Sequence, residues 1–468
     1  MRRIVANIGF LLQIVGLLLF LPIGIGLQHG ELTAVASLVA TCFLAFGAGF
    51  VFNSFCERKE LDEKTSLRLL LLTFMVIPLV LAIPYVWNNV FSSGNIFELF
   101  TNAYFEVVSG FTTTGFSMIA QPQSLPVSLF FYRSFIEFIG GIGFIYILAA
   151  FLYPKDELGA FGEAFGIEIL GDNLKKVFAS ILLVYTLFVV TFTGIFYVTY
   201  DGNLVTASCA AIDVLTGGYQ PTVTAGIGVF QISIIVLMLI GSFNFRFHYN
   251  LFRLRLRELL TPEIKVYLAA IAIFTVAISF LAWINPFDAL FHVVTMSSSS
   301  GIEYLSVSGT PLAAKIVFII IGLVGGCTFS MAGGIRIQRL YKLISAVCKS
   351  DDAPNREELK SIIKSIIGFV AVLIVLSLVF MTLGISFLDS LFEVGSALTT
   401  NGISMGATTI ALPLGYKWLL IVAMIIGRVE IISILKAIEV PAVRGLFSAA
   451  ISRVKLPRKF REFKTRQH

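Results

Sequence analysis

Long apolar runs separated by short polar stretches set the pattern of this chain. Runs of about 20 residues, the length that a ~30 Å hydrocarbon core demands, cover 4–27, 32–53, 67–87, 127–152, 177–200, 226–245, 264–284, 312–335, 366–385 and 415–438. Each predicts a membrane-spanning helix. Between the members of the last four pairs lies a shorter apolar segment that ends in a glycine turn. These segments are FEVVSGFTTTGFS from Phe105, SCAAIDVLTGGYQ from Ser208, FHVVTMSSSSGIE from Phe291 and FEVGSALTTNGIS from Phe392. They are too short to cross, and each reads as a half-buried helix running into a loop. Lined up on the turn glycine they place Gly115, Gly218, Gly301 and Gly402 in register, at spacings of about 100, 80 and 100 residues. A period that long marks a large supersecondary block rather than a solenoid repeat.

Composition agrees: 57% hydrophobic and 13% charged residues describe an integral membrane protein. Basic residues order the spans. Arg2 and Arg3, Arg58 to Arg68, Lys155 with Lys175 and Lys176, Arg246 to Lys265, Arg336 to Lys364 and the tail beyond Arg444 fall between alternate spans, while 69–132, 177–245, 266–314 and 365–416 hold no Lys or Arg. The positive-inside rule makes the basic loops and both termini cytoplasmic, and all four glycine segments external. The net charge of +6 is therefore a matter of topology, not a nucleic-acid signal. The basic tail RVKLPRKFREFKTRQH reads as an anchor to anionic headgroups or as a docking strip for a cytosolic partner. The first apolar run is long and lacks a cleavage site, so it is expected to stay as a span. The five cysteines, Cys42, Cys56, Cys209, Cys327 and Cys348, show no disulfide, metal or redox spacing.

The expected fold is an all-α integral membrane protein. It has four pseudo-repeated units of helix, pore helix, filter loop and helix around one pore, plus two N-terminal transmembrane helices. The boundaries read as an N-terminal hairpin at 1–56, pore units at 57–171, 172–261, 262–358 and 359–443, and a basic cytoplasmic tail at 444–468. Open loop backbone facing lipid lacks hydrogen-bond partners, so the turns must be buried or line water. Four units can close around an axis, and main-chain carbonyls lining an axis replace the water shell of an alkali cation.

The turn residues suit that chemistry. Thr113, Thr114 and Gly115; Thr216, Gly217 and Gly218; Ser299, Ser300 and Gly301; and Thr400, Asn401 and Gly402 combine small hydroxyl or amide residues with a glycine that tolerates unusual backbone angles. A single Thr-Thr-Gly is also an ordinary helix stop; four in register point to a common role. The carboxyl ends of the short helices add partial negative charge where a cation dehydrates. The acids Glu98, Glu106, Asp201, Asp213, Asp288, Glu303, Asp389 and Glu393 raise the local cation concentration. Glu106 and Glu393, with His292 at the same position of the third segment, are expected to brace helices rather than meet the ion.

Two interruptions follow the loops. Gly325 and Gly326 through Gly333 and Gly334, then Arg336, break the span after the third turn. This reads as a flexible intramembrane gate loop, although paired glycines also serve close helix packing. Arg428 and Glu430 place charge inside the last span, where a charge costs about 2.5–3.5 kcal/mol and faces a pore or a partner. An Arg428–Glu430 or interhelical pair is the other reading.

At these motifs, namely SGFTTTGFS, the broken span ending AGGIR, and GRVE in the last span, the chain resembles the Trk/Ktr/HKT superfamily of potassium transporters, specifically its Trk-type membrane subunit. The two additional N-terminal spans favour the Trk branch. The resemblance implies K+ as the transported ion and glycine at all four filter positions as the mark of potassium over sodium preference. It also implies a homodimer with one pore per protomer, a cytosolic nucleotide-binding regulatory subunit and a bacterial inner-membrane location. Phe329 and Met331 depart from the small residues usual in the gate loop. The rival readings are a cation-coupled secondary symporter with a midplane site in broken helices and an intramembrane enzyme. The scattered His29, His248, His292 and His468 give the enzyme no cluster of catalytic or metal-binding groups.

Overall fold

The computed structural model describes residues 2–54, 63–147, 174–219, 227–348 and 353–429. Helices account for the ordered elements among them, and seven are long and apolar enough to cross a membrane. This is a multi-pass membrane protein.

In chain order, α1 (Arg2–Leu18), α2 (Phe20–Gln28) and α3 (Leu32–Ser54) precede the rest. Small residues let α1 and α3 approach closely: a side chain on Gly9 would lie 2.9 Å from the Gly49 carbonyl oxygen, the close crossing that lipid-embedded helices use in place of hydrophobic collapse. Asn53 Nδ2 donates to Gln13 Oε1 at 3.0 Å across the same seam. The tie to the remainder is Glu31. Its carboxylate accepts from Val127 N at 2.5 Å and Ser128 N at 2.9 Å, satisfying free amides at the start of α7 (Val127–Ile147).

One order then recurs four times: helix, short helix, glycine turn, helix. The first passage is α4 (Glu63–Leu81), α5 (Ile83–Trp87), α6 (Ile96–Phe111) and α7; the second is α8 (Leu174–Phe196), α9 (Leu204–Thr216) and α10 (Val229–Ser242), continued by α11 (Phe245–Phe252). The third is α12 (Pro262–Ala282), α13 (Pro286–Ser298), α14 (Leu312–Val324) and α15 (Ile337–Cys348). The fourth is α16 (Arg356–Met381), α17 (Phe387–Leu398) and α18 (Leu414–Val429).

Each short helix begins on a polar cap that accepts a backbone amide. Asn95 accepts from Phe97, Asn203 from Val205, Asn285 from Asp288 and Ser386 from Asp389, at 2.9, 2.9, 2.9 and 3.1 Å. Their amino ends are thus fixed, and their carboxyl ends run into the turns.

Two expected spans differ in shape. The run 226–245 does not cross as one helix, because the chain bends by 113° between α10 and α11. The run 312–335 ends as a helix at Val324. Both breaks fall at the same place, for a reason given below. The tail, Glu430, Lys155 and most of the Lys349–Asn355 linker lie outside the described residues.

Candidate functional site

The four glycine turns meet one another. A side chain on Gly115 would overlap the carbonyl of Gly218, one on Gly217 that of Ser299, one on Gly301 that of Asn401, and one on Gly402 that of Thr114. Each turn therefore abuts the next, and the fourth abuts the first. The ring is closed.

Hydrogen bonds hold it. Ser299 Oγ donates to the Thr399 carbonyl at 3.0 Å, Ser300 Oγ to the Val214 carbonyl at 3.1 Å, and Asn401 Nδ2 to the Met296 carbonyl at 2.9 Å. Thr113, Ser299 and Thr400 take positive φ of 55°, 58° and 51°, as do Gly115, Gly301 and Gly402 at 87°, 67° and 79°. That alternation reverses the chain sharply at the end of each short helix. The second turn differs: its positive φ of 81° sits at Gly217, and Gly218 N donates to the Ser300 carbonyl at 3.3 Å. Aligning sequences on Gly218 conceals this shift.

Behind the turns, buried acids collect backbone amides. Glu106 accepts from Met118 N at 2.8 Å and Ser117 Oγ at 3.0 Å. Glu393 accepts from Met405 N at 2.8 Å, Thr408 N at 2.7 Å and Ser404 Oγ at 2.6 Å. His292, at the same position, takes Leu305 N at 3.4 Å and bonds the Asp288 carbonyl at 2.8 Å. These three residues brace the chain leaving each turn, as expected. In the second segment that position is Cys209, a poor acceptor, and Glu137 of α7 does the work instead. It accepts Tyr219 N at 2.9 Å, and its carboxylate fills the space where Gly218 lacks a side chain.

Cations tie neighbouring passages together. Arg133 Nε bonds Glu106 Oε1 at 2.8 Å while its guanidinium lies 3.3 Å from the centre of the Tyr219 ring. Lys315 pairs with Asp389 at 3.2 Å. Lys417 Nζ donates to Asn102 Oδ1 and to the Ile410 carbonyl, both at 2.7 Å. Sequence reasoning passed over Arg133, Glu137, Lys315 and Lys417. The signal for two of them was present: Arg133 and Glu137 stand four residues apart inside an apolar span, a costly placement without partners.

The segment from Gly325 to Gly334 is pinned rather than loose. The bend after Ser242 leaves the last carbonyls of α10 without helical donors, and the segment supplies them. Met331 N donates to the Gly241 carbonyl and Cys327 N to that of Ser242, both at 3.0 Å. Glu263 accepts Thr328 N at 2.6 Å, and Gly333 N donates to Ser299 Oγ at 2.9 Å, reaching the third turn. The two breaks satisfy each other, as buried backbone in a bilayer requires. The glycines are needed for space: a side chain on Gly333 would overlap the Thr399 carbonyl, and one on Gly325 that of Gly333. Arg336 donates to the Ala332 carbonyl within the segment.

Met331 sits against the ring. A methyl group on Gly141 would lie 3.0 Å from Met331 Sδ, 3.4 Å from Thr113 Cγ2 and 3.6 Å from Thr216 Cγ2. Arg428 is buried beside it, with Nη1 donating to the Met331 carbonyl at 3.0 Å and the guanidinium 4.4 Å from the centre of the Phe144 ring. Its Nε and Nη2 have no hydrogen-bond partner among the described residues.

Residues 284–442 match the family model described as TrkH, cation transport protein. An uncharacterized cation transporter of Methanocaldococcus jannaschii is 26% identical over 453 residues, 92% of this chain and 93% of that protein. The Trk system potassium uptake protein TrkH of Escherichia coli K12 is 25% identical over 90% of this chain and 96% of its own length. The crystal structure of the potassium transporter TrkH from Vibrio parahaemolyticus superposes with a TM-score of 0.79 at 20% identity, covering 94% of this chain and 99% of that one. The chain is thus similar to TrkH-type potassium transporters over most of its length.

The likeness covers 90% or more of the chain and so reaches well beyond the stretch matched by the TrkH family model, toward the N-terminal helices and the first two turns. The all-α membrane fold is thus shared over most of the chain.

Proposed function

We propose that this chain takes up potassium ions across the bacterial inner membrane, through a selectivity filter made by its four turns. The closed ring of turns is the observation that carries this reading. The ion ligands are the carbonyl and hydroxyl oxygens of Thr113, Thr114 and Gly115; Thr216, Gly217 and Gly218; Ser299, Ser300 and Gly301; and Thr400, Asn401 and Gly402. Such oxygens replace the hydration shell of a monovalent cation without formal charge. The short helices direct their carboxyl ends, and so partial negative charge, at the same place. K+ is the cargo here, not a resident cofactor. The name of the Escherichia coli relative, a potassium uptake protein, supports the choice of ion.

The segment from Gly325 and Gly326 to Gly333 and Gly334, with Arg336 and Arg428, acts as the gate. Its contact with Ser299 and the position of Met331 support this. At ~6 Å and an effective dielectric of ~20, a guanidinium opposes a passing cation by about 3 kcal/mol, enough to slow permeation without forbidding it. The domain boundaries are those of the four repeated units, and the distribution of basic residues supports both termini being cytoplasmic. The working assembly is a homodimer with a cytosolic nucleotide-binding regulatory subunit, which biases the gate by binding its two states with different affinity.

Rubidium-tracer uptake into proteoliposomes tests the core of this reading. Uptake should follow the gradient, and sodium should compete weakly. Uptake that saturates through an occluded cycle, or is blocked equally by sodium and potassium, overturns it.

A further inference from the structure

A cavity of about 810 Å³ lies between α7, α9 and α10, around the amino end of α9. Asp213, Thr206 and Gln231 line it, together with Tyr200, Phe230 and the Arg133 side chain. Those two rings are stacked 4.5 Å apart at 7°. It is separate from the ring itself, because no turn residue borders it.

The charges around it do not balance. Glu106, Glu137 and Asp213 are all buried, with exposures of 0, 0 and 6%. Against them stands Arg133, already bonded to Glu106 and stacked over Tyr219. The carboxyls of Glu137 and Asp213 face one another. Neither Asp213 Oδ1 nor Glu137 Oε2 receives a donor among the described residues. The other titratable groups near the pair are Cys209 on α9, Tyr85 on α5 and Tyr219. The α10 helix carries no charged residue, and α8 only Lys175 and Lys176 in its first turn. Glu137 Oε1 holds Tyr219 N, Ser134 bonds Asp213, and Arg133 is the one counter-charge acting on both acids among the described residues. With one oxygen of each left without a donor, a second negative charge here is unfavourable.

We infer that this cavity binds a small organic cation bearing N–H donors, of the guanidinium or primary ammonium class, with Asp213 as its anchor. A compact metal ion needs a shell of several oxygens, whereas aromatic rings form part of this wall. A guanidinium fits it: its N–H groups donate to Asp213, and the Tyr200–Phe230 stack receives the cation's face. Asp213 is tied to the second turn twice, through its carbonyl, which accepts Gly217 N at 3.1 Å, and through Glu137, which holds Tyr219 N. An occupant of the cavity is therefore felt at the ring without entering it.

The test is calorimetric titration of methylguanidinium into the purified protein in potassium-containing buffer, which needs no flux measurement and so stands or falls apart from the potassium reading. We expect saturable binding that potassium does not displace, weakened about tenfold or more by Asp213→Asn, since a charge-assisted bond is lost. Thr206→Phe, which narrows the cavity and leaves Asp213 intact, should weaken it as well and decides the matter if Asp213→Asn does not fold. Absence of binding to the unaltered protein would mean that protons alone satisfy the acids, and overturns the site. Equal binding to all three proteins overturns it too, as does competitive displacement by potassium, which would put the cation in the ring.

Discussion

Arg428 donates to the main-chain carbonyl of Met331 at 3.0 Å, joining the last helix to the segment that interrupts the third passage. A guanidinium has five donors, and here one bond fixes the segment while two nitrogens stay unpaired among the described residues. The pairing serves position and charge at once. Arg428→Ala removes both the clamp and the opposing charge, so rubidium uptake should rise severalfold without a regulatory partner present. Arg428→Lys keeps the charge and loses the planar fork, and should fall between. Unchanged uptake in both folded variants would leave Arg428 with a purely structural role.

Shortening Gly325–Gly334 should also raise uptake through the isolated subunit. The deletion frees the Gly241 and Ser242 carbonyls as well, each costing about 1–3 kcal/mol when left unsatisfied, so thermal stability should drop in parallel. A deletion that loses stability but not its resistance to flux would show that the segment is packing alone.

Gly115→Ser and Gly402→Ser should weaken potassium-over-sodium discrimination. Each added Cβ meets the carbonyl of the neighbouring turn, Gly218 and Thr114 respectively. Each position also has a φ, 87° or 79°, that costs a side-chain-bearing residue about 1–2 kcal/mol. Sodium competition in uptake assays reads the result; unaltered competition in both variants would detach these turns from selectivity.

Glu393 collects Met405 N, Thr408 N and the Ser404 and Thr408 hydroxyls. Glu393→Ala strands buried donors at about 1–3 kcal/mol each and should lower the melting temperature, while Glu393→Gln keeps one acceptor and recovers part of the loss. An alanine variant as stable as the parent would contradict the brace.

External pH should act through Glu303. Burial pushes its carboxyl up to about 7, the Val307 amide pulls it back, and Glu393 adds to the rise. A raised acid is neutral below that value and charged above it. The stability it contributes is present at low pH and lost as pH climbs from the ordinary carboxyl range through about 7. Between pH 6 and 8 the entrance therefore gains negative charge, and low-salt cation uptake should increase with pH. Glu303→Gln should flatten that dependence; a profile identical to the parent's would place the titrating group elsewhere.

Much of this molecule was legible as a string because two of its constraints are one-dimensional. A bilayer demands apolar runs of fixed length, so the spans, the short segments between them and their glycine register could be read from residues such as Phe105–Gly115 and Phe392–Gly402. Polar caps at Asn95, Asn203, Asn285 and Ser386 are local, and Glu106, His292 and Glu393 announced themselves by sharing one position. Closure of the ring was not local. That Gly402 abuts Thr114 depends on two internal turns far apart in the sequence meeting in space. Substitution of Glu137 for Cys209 as a brace arises on a different helix, which no alignment of the four segments contains. The pinning of Gly325–Gly334 was equally hidden, because its partners are carbonyls exposed only when α10 bends after Ser242. Backbone groups carry no residue identity, so their need for partners inside a membrane was settled by the tertiary structure alone.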